Sequence, residues 1–235
     1  MIVERREYRL RPGKARQFWD AQQEWNTPER FGPILEHCIG YFEAVAGSPE
    51  RIVHLYRYDT MDQWRSIYEA YYQIQSSDYF RLVRPWLLGQ ETSFLVAAPI
   101  AELAPKWSSQ FGGSAGETPV IVETSHDFFP GGLVPYWDAV RQYDLSAEGP
   151  LRRNLLGVQV SLVGRLHRVV HCHRFADVLE AERHFDTLSA SPRHRAFVDS
   201  YGSWVARTHV CQLKPTPVEC MRGIFRRHVD SEGGH

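Results

Sequence analysis

Apolar and polar residues alternate along this chain with two periods, and those periods recur in the same order twice. Ile2 to Leu10 has the two-residue period of a strand, yet neither face is uniformly apolar. One face carries Ile2, Glu4, Arg6, Tyr8 and Leu10, the other Val3, Arg5, Glu7 and Arg9. Such a strand either turns one face into a polar cavity or lies at an edge with cross-strand ion pairs. Pro12-Gly13 then turns the chain. Phe18, Gln22 and Trp25, flanked by Ala15 and Trp19, give a helical stripe over 14–26, and Thr27-Pro28 ends it. A second strand falls within Ile34 to Ala46, Gly47-Ser48-Pro49 makes a hairpin turn, and Arg51 to Tyr58 is a third strand. Thr60 and Gln63 form a capping box before a helix with Trp64, Ile67, Tyr68, Tyr71 and Ile74 on one side. Ser76-Ser77-Asp78 interrupts it, helical turns continue to Trp86, and Glu91 to Ala97 is a fourth strand. The order β-α-β-β-α-β is the split ferredoxin-like pattern.

The second pass begins at Val120. Val120 to Phe129, Leu155 to Leu162, Arg168 to Phe175 and His209 to Leu213 read as strands, and Ser191-Pro192 as a capped helix start. The repeat is visible in single residues. Arg51-Ile-Val-His54 is echoed by Arg168-Val-Val-His171, 117 residues on. Phe18-Trp19-Asp20 is echoed by Tyr136-Trp137-Asp138, and Trp86 by Trp204, each 118 residues on. A constant offset over a whole unit marks a duplication. The units run 1–100 and 119–221, joined by a 101–118 linker containing Gln110-Phe-Gly-Gly-Ser-Ala-Gly116 and followed by a mobile charged tail over 222–235.

Composition narrows the function classes. With 27 basic against 28 acidic residues, the chain lacks the surplus that phosphate backbones demand, so nucleic acid is not an expected partner. No apolar stretch nears the roughly 20 residues of a membrane span, and no apolar leader follows Met1. Four cysteines without a CxxC pair argue against structural zinc and fit a reducing compartment, so the expected location is cytoplasmic.

Glu4-x-Arg6-x-Tyr8-x-x-x-Pro12-Gly13, the Gly40-Tyr41-Phe42 strand and Val53-His54-Leu55-Tyr56-Arg57-Tyr58 before its cap together resemble the NIPSNAP family. The resemblance covers the first unit well and the second more loosely. It implies a dimeric α+β barrel: two ferredoxin-like antiparallel sheets facing each other, with helices outside. The barrel forms either within one chain or between chains, and exposed sheet edges make a homodimer the expected assembly. Relatives in that superfamily include cofactor-free monooxygenases, haem enzymes and non-catalytic binders, so the fold implies a cavity but not one chemistry. The second unit departs from the motif, with Val122, Thr124 and His126 in place of Glu4, Arg6 and Tyr8.

If Val53, Leu55, Val170 and Cys172 pack under the helices, strand alternation sends His54, Tyr56, His171, His173 and Phe175 into the barrel. His54, His171 and His173 are then candidate bases, and Tyr56 or Tyr8 a donor to a developing oxyanion. Glu4, Arg6, Tyr8, His126, Phe42 and Phe175 are the candidate substrate-binding residues. The alternative for each histidine is a buried ring bonded to its neighbours, and for Glu4 and Arg6 an ordinary salt bridge. Ser125-His126-Asp127 is not a triad, because adjacent strand residues face opposite ways. The reading favoured is a small-molecule enzyme of secondary metabolism without a tightly bound organic cofactor, performing isomerisation, cyclisation or cofactor-free oxygenation on an apolar or aromatic substrate. A non-catalytic binding or scaffold module is the alternative, expected if Phe42, Tyr58 and Phe175 pack the barrel shut. A haem or metal site built on His54, His171 and His173 is the second alternative, although no ligand motif beyond His-x-His supports it.

Overall fold

The computed structural model describes residues 1–46, 50–74, 78–107, 119–143 and 152–225. The turn at 47–49, the interruption at Ser76-Ser77, the glycine-rich part of the linker and the last ten residues lie outside the described residues.

The first unit comprises β1 (Ile2–Leu10), α1 (Ala15–Trp25), α2 (Pro28–Leu35), β2 (Cys38–Ala46), β3 (Arg51–Tyr58), α3 (Met61–Ile74), α4 (Asp78–Val83) and β4 (Leu87–Ala97). The second comprises β5 (Val120–Phe128), α5 (Leu133–Tyr143), β6 (Leu155–Val163), β7 (Arg168–Phe175), α6 (Val178–Ala190), α7 (Pro192–Gly202) and β8 (Val205–Pro215). The eight strands close one antiparallel barrel in the order β1-β3-β2-β8-β5-β7-β6-β4. β2 pairs with β8 and β4 with β6, so the two units seal their edges on each other within a single chain. The free edges on which the homodimer expectation rested are therefore used internally.

Three local expectations change. Thr27-Pro28 starts a helix instead of only ending one: Thr27 is extended, and Pro28 occupies the first helical position, where its missing N–H costs nothing. The strand expected within Ile34 to Ala46 runs from Cys38 to Ala46. β1 is not an edge strand, and on one of its two polar faces Arg6 and Tyr8 look into a pocket. It lies between β3 and β4 and carries ion pairs on both faces.

The third change concerns the ends of the units. Past β4, a short turn at Ala101–Leu103 leads to Trp107, and past β8 an equivalent turn at Glu219–Met221 leads to Phe225. Trp107 and Phe225, 118 residues apart, are both buried in the barrel interior. Each unit's end crosses to the other. The Lys106 amide donates to Leu156 O on β6, and Phe225 packs edge-on against Phe42 of β2 at 5.4 Å. The crossing is tight at two glycines. Gly157 holds φ +159° against Pro105, and Gly223 holds φ +55°, where a Cβ would overlap the carbonyls of Cys38 and Ile39. Packed chain thus extends beyond both expected unit boundaries, and a tail beginning at 222 is not what residues 222–225 form.

Buried side chains pack the barrel interior. Val3, Val53, Leu55, Ile121, Val170 and Leu213 meet there with the two aromatic plugs. Among them sits a buried ion pair across the seam between the units, Arg5 to Glu123, at 2.9 and 2.7 Å. Arg5 also reaches Glu7 at 2.9 Å, and Arg51 reaches the same Glu7 at 2.6 Å. These charges account for the polar positions of β1 that face inward.

Candidate functional site

The interior set is the one expected to lie under the helices, so the two faces are exchanged relative to the sequence expectation. Val53, Leu55, Val170 and Cys172 fill the barrel, while His54, Tyr56, His171 and His173 face outward beneath the helices. Tyr58 and Phe175 likewise pack under helices, and only Phe42 of the three expected plugs is inside. Neither face of these strands is polar enough to reveal its direction, because both are buried. Two pockets, one in each unit, lie between sheet and helices, and these are where the singled-out histidines and tyrosines fall.

The first pocket is a cavity of about 270 Å³. Its sheet floor is built from Arg6 and Tyr8 on β1, Tyr41 on β2, and His54 and Tyr56 on β3. Helices α1, α3 and α4 close it with Gln22, Tyr71 and Tyr79 among others. Strand register sets the floor, since Arg6 lies opposite His54 and Tyr41 is the partner of His54 on the other side. The Arg6 guanidinium holds Glu4 in a two-pronged bond of 2.7 and 2.9 Å, with both residues 3% exposed or less. Tyr58 donates a third bond to Glu4 at 3.3 Å. Arg6 also lies over the Tyr56 ring at 4.7 Å and near Tyr68 and Tyr71 at 5.4 and 5.8 Å. Burial alone would lower the Arg6 pKa, but the Tyr56 and Tyr8 phenols and the Glu4 carboxylate raise it well above its ordinary value. The cation is therefore permanent.

His54 is 3% exposed and stacks flat on Tyr41, with centroids 3.5 Å apart. Burial, reinforced by the Arg6 charge, pushes its pKa well below 6.5, so it is neutral at physiological pH. Its Nε2 has no hydrogen-bond partner among the described residues. A buried polar atom left unpaired costs about 1–3 kcal/mol. Burial likewise raises the pKa of Tyr8, Tyr41, Tyr56 and Tyr71, which keeps these phenols protonated as donors. The Tyr41 and Tyr56 hydroxyls bond to each other.

The second pocket is larger, about 660 Å³. His126, His171 and His173 line its floor, and Phe185, Phe197 and Tyr201 its helical wall. His126 and His171 are 5.4 Å apart by ring centroids, and His171 and His173 6.5 Å. His171 Nε2 and the Tyr136 hydroxyl are hydrogen-bonded at 2.7 Å, and His126 Nδ1 and Thr208 Oγ1 at 2.9 Å. Burial pushes His126 down to about 4. Burial, with His126 and His173 nearby, pushes His171 well below 6.5.

The expected site residues are thus divided. Arg6, Tyr8, His54 and Tyr56 come together in the first pocket, and His126, His171 and His173 in the second. His54 does not meet His171 and His173, so the three-histidine metal set is not assembled. Among the described residues no group of three His, Cys, Asp or Glu side chains is arranged to hold a metal ion. Glu4 stands behind Arg6 and does not line the cavity. Phe42 is a barrel residue, and Phe175 packs against Phe185 and His184 at the back of α6. The helical contributors Gln22, Tyr79, Phe197 and Tyr201 were not singled out from sequence, since their stripes read as ordinary core. Tyr136 was visible as the single change between Phe18-Trp19-Asp20 and its echo.

Residues 3–102 match the NIPSNAP family model, which is 100 residues of the first unit and its extension. A NIPSNAP family protein from Agrobacterium tumefaciens is 21% identical, covering 48% of this chain and 100% of its own, with a TM-score of 0.42. A candidate monooxygenase from Fusobacterium nucleatum is 10% identical, covers 92% of each chain and has a TM-score of 0.60. An anthrone oxidase-like protein is 10% identical, covers 91% of this chain and 90% of its own, also at 0.60. The last two establish the fold over both units. No curated protein matches the chain in sequence. No helix among the described residues is long and apolar enough to cross a membrane.

Proposed function

With a NIPSNAP-like first unit in a whole-chain α+β barrel as the premise, we propose that the first pocket is the active site of a small-molecule enzyme working by proton transfer. The observation that carries this is His54, which lines a cavity floored by a permanent cation and protonated phenols and whose buried Nε2 has no hydrogen-bond partner among the described residues. A neutral imidazole accepts a proton, and the C–H bond that breaks leaves its electron pair on an adjoining carbonyl as an enolate oxyanion. Arg6, held in place by Glu4, and the hydroxyls of Tyr8 and Tyr56 stabilise that oxyanion. The imidazolium then forms only as the partner of a bound anion, which offsets its desolvation. Return of the proton to a different carbon gives isomerisation. Attack on a second carbonyl of the same molecule gives cyclisation. Reaction of the carbanion with dioxygen gives oxygenation. The oxidase and monooxygenase names of the fold neighbours place that last outcome among those to be assayed.

The test reads the first step alone. Small phenolic and 1,3-dicarbonyl compounds are incubated with the protein in D2O, and C–H/D exchange is followed by NMR. Protein-dependent exchange is expected, falling about 10²–10⁴-fold in His54→Ala with the fold intact. Because the folded His54 pKa lies below 6.5, the acid limb of the pH–rate profile is expected below 6.5 as well. Exchange unaffected by His54→Ala removes this assignment. Binding without exchange in any compound supports instead a ligand carrier.

A further inference from the structure

We propose that the pocket of the second unit is a separate small-molecule site, shaped for a flat, uncharged, hydroxylated aromatic ligand that the first pocket would not take. The two pockets occupy equivalent places in the repeat, but the groups that make the first one ionic are gone. Arg6, opposite His54, is replaced by Thr124, opposite His171, and Glu4, opposite Tyr56, by Val122, opposite His173. Among the described residues that line the second pocket, none is Lys or Arg, and the only charged ones are Glu182 and Asp186. An anionic ligand would meet those carboxylates with no cation to offset them.

What remains is a set of groups that both donate and accept. A neutral imidazole offers one donor and one acceptor, and hydroxyls and amides do the same. His126 and His171, held neutral by burial and each with one nitrogen already bonded, supply imidazoles, His173 a third ring, Thr124 and Tyr201 hydroxyls, and Gln212 an amide. Several hydroxyls on one ligand would find partners around this ring whichever way each is turned. Phe185, Phe197 and Tyr201 give the aromatic wall against which a planar ring system stacks. The space suits a larger molecule than the first pocket does. In the first unit Tyr41 lies flat on His54, whereas the residue paired with His171 is the much smaller Val158. The cavity, about 660 Å³ against 270 Å³, is in the range of pockets that hold drug-sized ligands.

The test uses dihydroxyanthracene as the neutral probe and anthracene carboxylate as its anionic counterpart, titrated into the full chain by calorimetry and fluorescence. Val210 is 49% exposed and lines this pocket, and Thr208 lines it from an exposed strand position, so tryptophan at either adds bulk without disturbing buried packing. Gln90, exposed at the position equivalent to Thr208, lines the first pocket. One equivalent of dihydroxyanthracene is expected to bind. Its affinity should fall at least tenfold in both Val210→Trp and Thr208→Trp and stay unchanged in Gln90→Trp, with thermal unfolding unaltered in Val210→Trp and Gln90→Trp, whereas Thr208→Trp also loses the hydroxyl bonded to His126 Nδ1. Anthracene carboxylate is expected to bind at least tenfold more weakly than the neutral probe. The proposal is overturned if the neutral probe does not bind, if Gln90→Trp abolishes binding while the other two leave it intact, or if the carboxylate binds equally well. The proton-exchange assay on the first pocket is independent of the two variants at the second, Val210→Trp and Thr208→Trp, so each reading can fail without the other.

Discussion

The two pockets are one architecture used twice, and their lining differs at most equivalent positions. His54 and His171 stand on equivalent strands, both buried and both neutral by burial. Around the first lie Arg6, Glu4, Tyr8, Tyr41 and Phe18; around the second lie Thr124, Val122, His126, Val158 and Tyr136. Exchanging an ion pair for Thr and Val removes the fixed charge. Exchanging Tyr41 for Val158 removes the ring stacked on the imidazole. Exchanging Phe18 for Tyr136 adds one hydroxyl, which occupies the imidazole nitrogen that stays unpaired in the first unit. The lesson is that duplication fixes where a cavity forms, while a handful of side chains on the strand faces decides its charge, volume and reactivity.

The same divergence appears at the seam between the units, where its removal should have the largest effect on stability. Arg5 and Glu123 are equivalent positions 118 residues apart, and they face each other as opposite charges. In a pairing of two identical units this place would bring like charges together. Glu123→Ala leaves Arg5 buried with Glu7 as its remaining partner. The expected loss is about 3 kcal/mol, near the lower end for breaking a buried pair, measured by urea unfolding. Replacing both partners with apolar residues, Arg5→Met with Glu123→Leu, should restore most of it. If Glu123→Ala is neutral, the apolar interior alone holds the units together, and the charge difference does not help to choose which faces meet.

A pH series sharpens the contrast in burial between the pockets. In the unfolded chain His126 takes up its proton near pH 6.5, and in the folded chain only near 4. Between those values the unfolded state holds more protons, so stability is full above about 6.5 and falls as the pH drops through this window. His54 and His171, also shifted downward, add to the slope. In His126→Asn the slope should flatten by up to about 1.4 kcal/mol per pH unit, seen in urea midpoints at successive pH values. An unchanged slope would mean that the His126 imidazole is well hydrated and that the second pocket is the wetter of the two.

Much of the fold was legible in the sequence because period and punctuation act locally. The β3 and β7 strands have their expected bounds, the Thr60 and Ser191 caps accept hydrogen bonds from the Gln63 and His194 amides, and the repeat offset holds from β1 to the Trp107 and Phe225 plugs. What could not be read was which face of β3 and β7 looks inward. Val53 and Leu55 alternate with His54 and Tyr56, but both sets end up buried, so alternation supplies a pattern without a direction. Tyr8, His54 and Tyr56 line one pocket, and His126, His171 and His173 the other. Their expected meeting place was wrong because the barrel is plugged by Trp107 and Phe225, one assigned to a linker and the other to a tail. The helical residues that complete each pocket were hidden for a related reason: a side chain beside a cavity follows the same helical stripe as one in solid core.

The finest test exchanges the single hydroxyl between the units. Tyr136 occupies the place of Phe18, and their rings stand at similar separations from the histidine they face, 6.0 Å for Tyr136 to His171 and 6.5 Å for Phe18 to His54. Phe18→Tyr therefore should bring a hydroxyl within reach of His54 Nε2, as Tyr136 does for His171. A new buried hydrogen bond of this kind is worth about 1 kcal/mol, so the variant should unfold at slightly higher urea. The same bond should occupy the atom proposed to accept the substrate proton, and C–H/D exchange should fall about fivefold, since one such bond must break first. Tyr136→Phe runs the other way. It should lose about 1 kcal/mol and leave first-pocket exchange untouched, because the two pockets lie in separate units. If Phe18→Tyr stabilises the protein and exchange is undiminished, the unpaired nitrogen of His54 is a packing defect, and the base must be sought elsewhere on the pocket wall. If both variants behave as expected, one oxygen atom accounts for the difference between a poised imidazole and a tethered one.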